Sequence, residues 1–123
     1  MEKPIEVIFL KQAEEFVNSI EDKPKKKLFH ALRKTKERLF GQWFTKLKSS
    51  EGIFEFRFDD SGKFYRLFAF WDTEEDNETL VVATHGLIKK TNKTPHAEIR
   101  KAEQIKQDYF NEKKKDKKKK TKY

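Results

Sequence analysis

Two arginines, a histidine and a run of lysines hold the chemistry that this sequence can offer. Arg57 and Arg66 sit in the aromatic segments IFEFRF and FYRLFAFW, His85 with Lys89, Lys90 and Lys93 in HGLIKKTNKTP, and Lys46 and Lys48 in the loop before them. Planar guanidinium forks match phosphate oxygens, and lysines add point charge, so cations gathered without matching acids or metal ligands suit RNA phosphate.

Each group also has a purely structural reading. Arginines facing each other on a sheet repel, and Glu55 is near enough in sequence to Arg57 to offset that repulsion. A lone histidine is often a hydrogen-bonded structural residue, but Gly86 beside it removes a side chain and leaves room for a ligand. The lysines of HGLIKKTNKTP would also suit a solvated loop, although no acid interrupts them between Leu80 and Ala97. Phe68, Phe70 and Trp43 read as core, with base stacking open to them if they are exposed.

Other chemistries lack their signatures. There is no cysteine, no His-rich metal spacing, no Gly-rich phosphate loop and no G-x-S-x-G elbow. The carboxylates fall mostly in polar helices and in the acidic run after Asp72, which does not favour a paired-carboxylate hydrolase.

The elements that must position these residues follow from periodicity. IEVIFL (5 to 10) reads as a strand, and Leu10, Ala13, Phe16, Val17 and Ile20 then recur at helical spacing. Pro24 suits the first position of a second helix with Leu28, Leu32, Thr35 and Leu39 as its buried stripe, and Gly41 suits its end. Gln42 to Gly52 reads as a loop, and two alternating strands then flank Ser61-Gly62. A two-residue turn there sets Arg57 opposite Arg66, with Phe54, Phe56, Phe58, Tyr65, Leu67 and Ala69 on one face. Glu55, Arg57, Phe64, Arg66, Phe68 and Phe70 share the other face.

Asp72 to Thr79 reads as a solvated loop, and Leu80 to Ile88 as a strand buried on both faces. Thr94-Pro95 reads as a helix start, with Thr94 as N-cap and Ile99, Ala102, Ile105 and Tyr109 as the packed stripe, fraying near Glu112. The fold class is α+β in the order β-α-α-β-β-β-α, an antiparallel sheet carrying a helix hairpin.

Charge divides the chain. The net +8 resides almost wholly in residues 113 to 123, where eight lysines oppose one aspartate. Residues 1 to 112 carry 21 basic and 20 acidic groups, so phosphate affinity there depends on sorting charge between faces. The division is a domain over 1 to 112 and a disordered lysine-rich tail over 113 to 123, which reads as a solubilising end, with salt-sensitive, sequence-blind affinity for RNA open to it as a second role. With no long apolar run, neither secretion nor membrane spanning is expected, and a cytoplasmic location is.

The runs KLKSSEGIFEFRFDDSGKFYRLFAFW and HGLIKKTNKTP resemble the RelE/ParE toxin superfamily, most closely its HigB-like, phage-associated branch. The resemblance spans residues 5 to about 110 and implies a ribosome-dependent mRNA endonuclease, the toxin of a type II toxin-antitoxin pair. It implies transesterification by the RNA's own 2′-hydroxyl with no metal or other cofactor. It also implies an antitoxin partner of helix-turn-helix type and action at the ribosomal A site on mRNA. Carried onto this chain, Arg57 and Arg66 hold phosphate, and His85, Lys89 and Lys90 move protons or stabilise charge. Lys46, Lys48 and Lys93 hold RNA. Two alternatives share the fold: a ParE-like gyrase poison and a non-catalytic RNA-binding domain. Lys48-Ser49-Ser50 departs from the glycine common in that loop.

Overall fold

The computed structural model describes residues 4–73 and 80–120. The elements are β1 (Glu6–Phe9), α1 (Lys11–Ser19), α2 (Asp22–Lys36), β2 (Phe44–Lys46), β3 (Phe54–Arg57), β4 (Phe64–Asp72), β5 (Leu80–Lys89) and α3 (His96–Lys120). The sheet runs β1-β5-β4-β3-β2, with β1 parallel to β5 and every other pair antiparallel. The α+β class and the helix hairpin are as expected. The order gains one strand, because Phe44–Lys46 pairs with β3 inside the stretch read as loop.

The β3–β4 hairpin has the predicted register: Phe54 pairs with Ala69, Phe56 with Leu67 and Arg57 with Arg66. Ser61 and Gly62 both adopt positive φ, 50° and 77°, as a two-residue hairpin turn requires. This register divides the core. Phe56, Phe58, Tyr65, Leu67 and Ala69 pack with Leu28, Leu32, Ala13 and Val17 of the helix hairpin, whereas Phe68 and Phe70 pack beneath α3 with Ile53, Val82 and Ala102. The sheet is therefore buried on both faces, which explains the unbroken apolar run at the start of β5.

Several local expectations differ. Pro24 is the third residue of α2, still in the first turn, where a missing N–H is tolerated. The helix stops before Gly41: Arg38 takes the left-handed conformation (φ 63°), and Leu39 is half exposed. Gly41 serves another purpose, since a Cβ there would meet the Trp43 ring at 2.2 Å. Asp72 is not in a solvated loop but is the fully buried last residue of β4, and 74–79 lie outside the described residues. In the β2–β3 loop Ser49 takes the left-handed conformation (φ 61°), where a glycine would sit more easily. The Ser50 hydroxyl donates to the Leu47 carbonyl at 2.6 Å and accepts from the Ile53 N–H at 3.2 Å, holding that loop against the start of β3.

The stripe of α3 is as expected, with Ile99 and Ala102 buried. The helix continues past Glu112 to Lys120. Tyr109 Oη and Lys113 Nζ both donate to Asp72 Oδ2 at 2.7 Å, so the first lysine of the basic run is tied to the sheet. Residues 121–123 lie outside the described residues.

Candidate functional site

Alternation along β3 and β4 sends Glu55, Arg57 and Arg66 to the α3 side of the sheet, and pairing of Phe64 with Lys89 brings the end of β5 to the same place. Arg66 is fully buried. Its Nη1 donates to Asp59 Oδ1 at 2.5 Å and to the Tyr65 carbonyl at 2.8 Å, and its Nε lies 3.6 Å from Glu55 Oε1. Arg57, with 32% of its side chain exposed, places Nε 3.7 Å from the same oxygen. The expectation of cations without matching acids is thus overturned: Glu55 and Asp59 offset the arginine pair. Even so, among the described residues the three cations Arg57, Arg66 and Lys89 face two carboxylates.

Asn92 was missed in the sequence. Its Oδ1 accepts from Arg57 Nη2 at 2.6 Å and from Arg66 Nη2 at 2.5 Å, joining the opposed guanidinium groups through one amide oxygen. The only signal was a short polar residue between two lysines. Thr94 is placed differently from expected. The first residue of α3 is His96, and the Thr94 hydroxyl accepts from Lys89 Nζ at 3.0 Å and donates to Glu55 Oε2 at 3.0 Å. Lys89 is 7% exposed. Burial is the main force holding its ammonium below the usual lysine range, aided by the charge of Arg66 and opposed by Glu55.

His85 does not join this group. Its ring stacks on Phe68 at 4.8 Å, Nε2 meets Glu98 Oε2 at 2.8 Å and Nδ1 meets Thr84 Oγ1 at 3.1 Å. Burial pulls it below the ordinary histidine value, opposed by the bond to Glu98. Gly86 does not open a path for a ligand, because a Cβ there would meet the Phe16 ring at 2.0 Å. Lys90 and Lys93 are exposed beside Asn92 in sequence. Lys46 pairs with Phe54, so the register puts it on the sheet face opposite Arg57, and Lys48 is exposed in the β2–β3 loop.

The aromatic residues considered for base stacking are committed to packing. Phe68 and Phe70 are fully buried. Trp43 lies under Lys34 Nζ at 3.7 Å and donates from Nε1 to the Thr35 hydroxyl at 3.2 Å. Among the described residues, no group of three or more His, Asp or Glu side chains is placed to hold a metal ion, and no helix is long and apolar enough to cross a membrane.

Residues 15–107 match the family described as phage-derived protein Gp49-like, which covers well over half of the chain. The chain belongs to that family. Gp49-like proteins are a RelE/HigB-type toxin family, in agreement with the resemblance carried by the hairpin and HGLIKKTNKTP runs. No curated protein matches the sequence. Among solved structures, the chain is similar to one in the crystal structure of the toxin-antitoxin complex RelBE2 from Mycobacterium tuberculosis. The identity is 20% and the TM-score 0.43, over 72% of this chain and 94% of that one. A likeness that loose transfers no residue roles.

Proposed function

We propose that this Gp49-like protein is the toxin of a type II toxin-antitoxin pair and cuts mRNA on the ribosome without a metal. The observation that carries the reading is the convergence of Arg57, Arg66 and Lys89 at one end of the three central strands, where they outnumber the carboxylates beside them among the described residues. Exposed Lys90 and Lys93 follow directly in the chain. In this reaction the 2′-oxygen of the RNA bonds to the adjacent phosphorus and the bond to the 5′-oxygen breaks, leaving a 2′,3′-cyclic phosphate and a 5′-hydroxyl. The proton on the 2′-oxygen passes to water, and Lys89 supplies one to the 5′-oxygen.

Arg57 faces the charge that develops on the phosphorane, where a fixed cation is worth more than in water. Lys89 is the proton carrier best suited to the 5′-oxygen, since desolvation eases loss of its proton and Thr94 fixes its head. Arg66 is a positioning residue that holds Glu55 and Asn92. His85 serves the packing of α3 against the sheet and takes no part in the proton transfers. Lys93 and Lys48 hold flanking phosphates, and Lys46 has a weaker claim on the opposite face.

The partners in this reading are mRNA in the ribosomal A site and an antitoxin of helix-turn-helix type, all in the cytoplasm. Induction of the chain in growing cells tests the class of target. Rapid loss of full-length mRNA with intact chromosomal DNA is the expected result; gyrase-dependent DNA breaks with intact mRNA would overturn it in favour of a ParE-like poison.

A further inference from the structure

One amide oxygen accepting from two opposed guanidinium groups is an unusual use of asparagine. Asn92 is exposed and lies on the 90–95 connection between β5 and α3, whereas Arg66 is fully buried. The amide therefore stands on the solvent side of Arg66, against the Nη2 atoms of both arginines. An amide oxygen is neutral, and among the described residues Glu55 and Asp59 are two carboxylates against the three cations Arg57, Arg66 and Lys89. A phosphate oxygen in the same place would accept the same two bonds with a full charge behind it, which makes them shorter and stronger.

We infer that Asn92 occupies the seat of a phosphate oxygen of the RNA, and that the oxygen displaces it when substrate binds. This rests on the reading of the site as one for RNA cleavage and adds its gate. The resting chain keeps the Nη2 atoms of both guanidinium groups capped, so a free anion meets an occupied site. The displacement is confined to one side chain and its short connection. Thr94 anchors the far end of that connection to Lys89 and Glu55, so Lys89 stays in place as Asn92 swings away.

The alternative is that Asn92 is a clamp that orders the arginines and aids binding. The two roles give opposite signs. The full chain, as wild type, Asn92→Ala and Asn92→Asp, is titrated with inorganic phosphate and with a short RNA whose scissile 2′-hydroxyl is replaced by hydrogen. If the closed form outweighs the open one by about ten to one, Asn92→Ala binds both probes about tenfold more tightly. Asn92→Asp, which puts a permanent anion on the two arginines, binds both more weakly than wild type. Thermal unfolding checks that both variants remain folded.

Equal or weaker binding by Asn92→Ala overturns the inference, as does failure of every form to bind either probe. Cleavage by wild type on translating ribosomes is scored separately. Cutting without the gain in Asn92→Ala sinks the gate alone; the gain without cutting sinks the endonuclease reading alone.

Discussion

Arg57 and Arg66 face each other across β3 and β4, a pairing that repulsion alone would disfavour, and Glu55 Oε1 lies 3.7 Å from one and 3.6 Å from the other. The shared carboxylate makes the pair a structural unit as well as a chemical one. The two arginines are nonetheless not equivalent: Arg66 is fully buried, whereas Arg57 is partly exposed.

That difference predicts separate fates on substitution. Arg66→Met strips Glu55 of its buried partner and should destabilise the fold by about 3 kcal/mol, the lower end for a broken buried pair because Asp59 is half exposed. Arg57→Ala should cost under about 1 kcal/mol, as expected for a pair near the surface. Urea unfolding of both variants checks the contrast, and equal losses would contradict it.

Gly86 lies against Phe16 of α1 rather than against open space. Gly86→Ala should therefore destabilise by about 1–3 kcal/mol through overpacking. Adding Phe16→Leu should recover part of that loss, because the smaller side chain yields the space. A double-mutant cycle reads the coupling, and strict additivity would contradict the contact.

His85 gives the fold a pH dependence of defined sign. Its folded-state pKa is depressed by burial, so below the ordinary histidine value the unfolded chain binds the extra proton and the folded chain resists it. The stability associated with His85 is fully present above about pH 6.5 and declines as pH falls from there toward the depressed folded value. In His85→Gln the loss between pH 6.5 and 5 should be smaller than in wild type. Parallel curves for the two proteins would show that the histidine is not the sensor.

Lys89 predicts the alkaline side of the rate profile. As a proton donor it should lose function at a pH below the ordinary lysine value, because burial and Arg66 disfavour its charge. Thr94→Val frees the ammonium head from its acceptor and should lower kcat more than it raises KM. A change in KM alone would reduce Thr94 to a binding role.

Much of the fold was legible because the side-chain period of a strand is unforgiving. Ser61-Gly62 fixed the turn, and any one-residue slip would have put Arg66 among the core phenylalanines Phe54, Phe56 and Phe58, so the opposed arginines followed. β2 was not legible because three residues, Phe44–Lys46, carry too little alternation to distinguish a short edge strand from a loop. Gly41 and Gly86 were misread as a helix stop and a ligand gap, since a sequence shows a missing side chain but not the ring that fills its place. At the site, the cations were legible by type and register. Asn92 and Thr94 were not, because their roles depend on where the 90–95 connection returns over the sheet, which no local pattern encodes.

The fate of mRNA on translating ribosomes incubated with purified protein, with the ends of the products identified, decides whether this chain is a metal-free endonuclease. Cuts within the A site are expected to carry 5′-hydroxyl and 2′,3′-cyclic phosphate ends and to be unaffected by chelator. Arg57→Ala, still folded, should slow them by about a hundredfold or more. Uncut mRNA with the wild type, or undiminished cutting by Arg57→Ala, would contradict it.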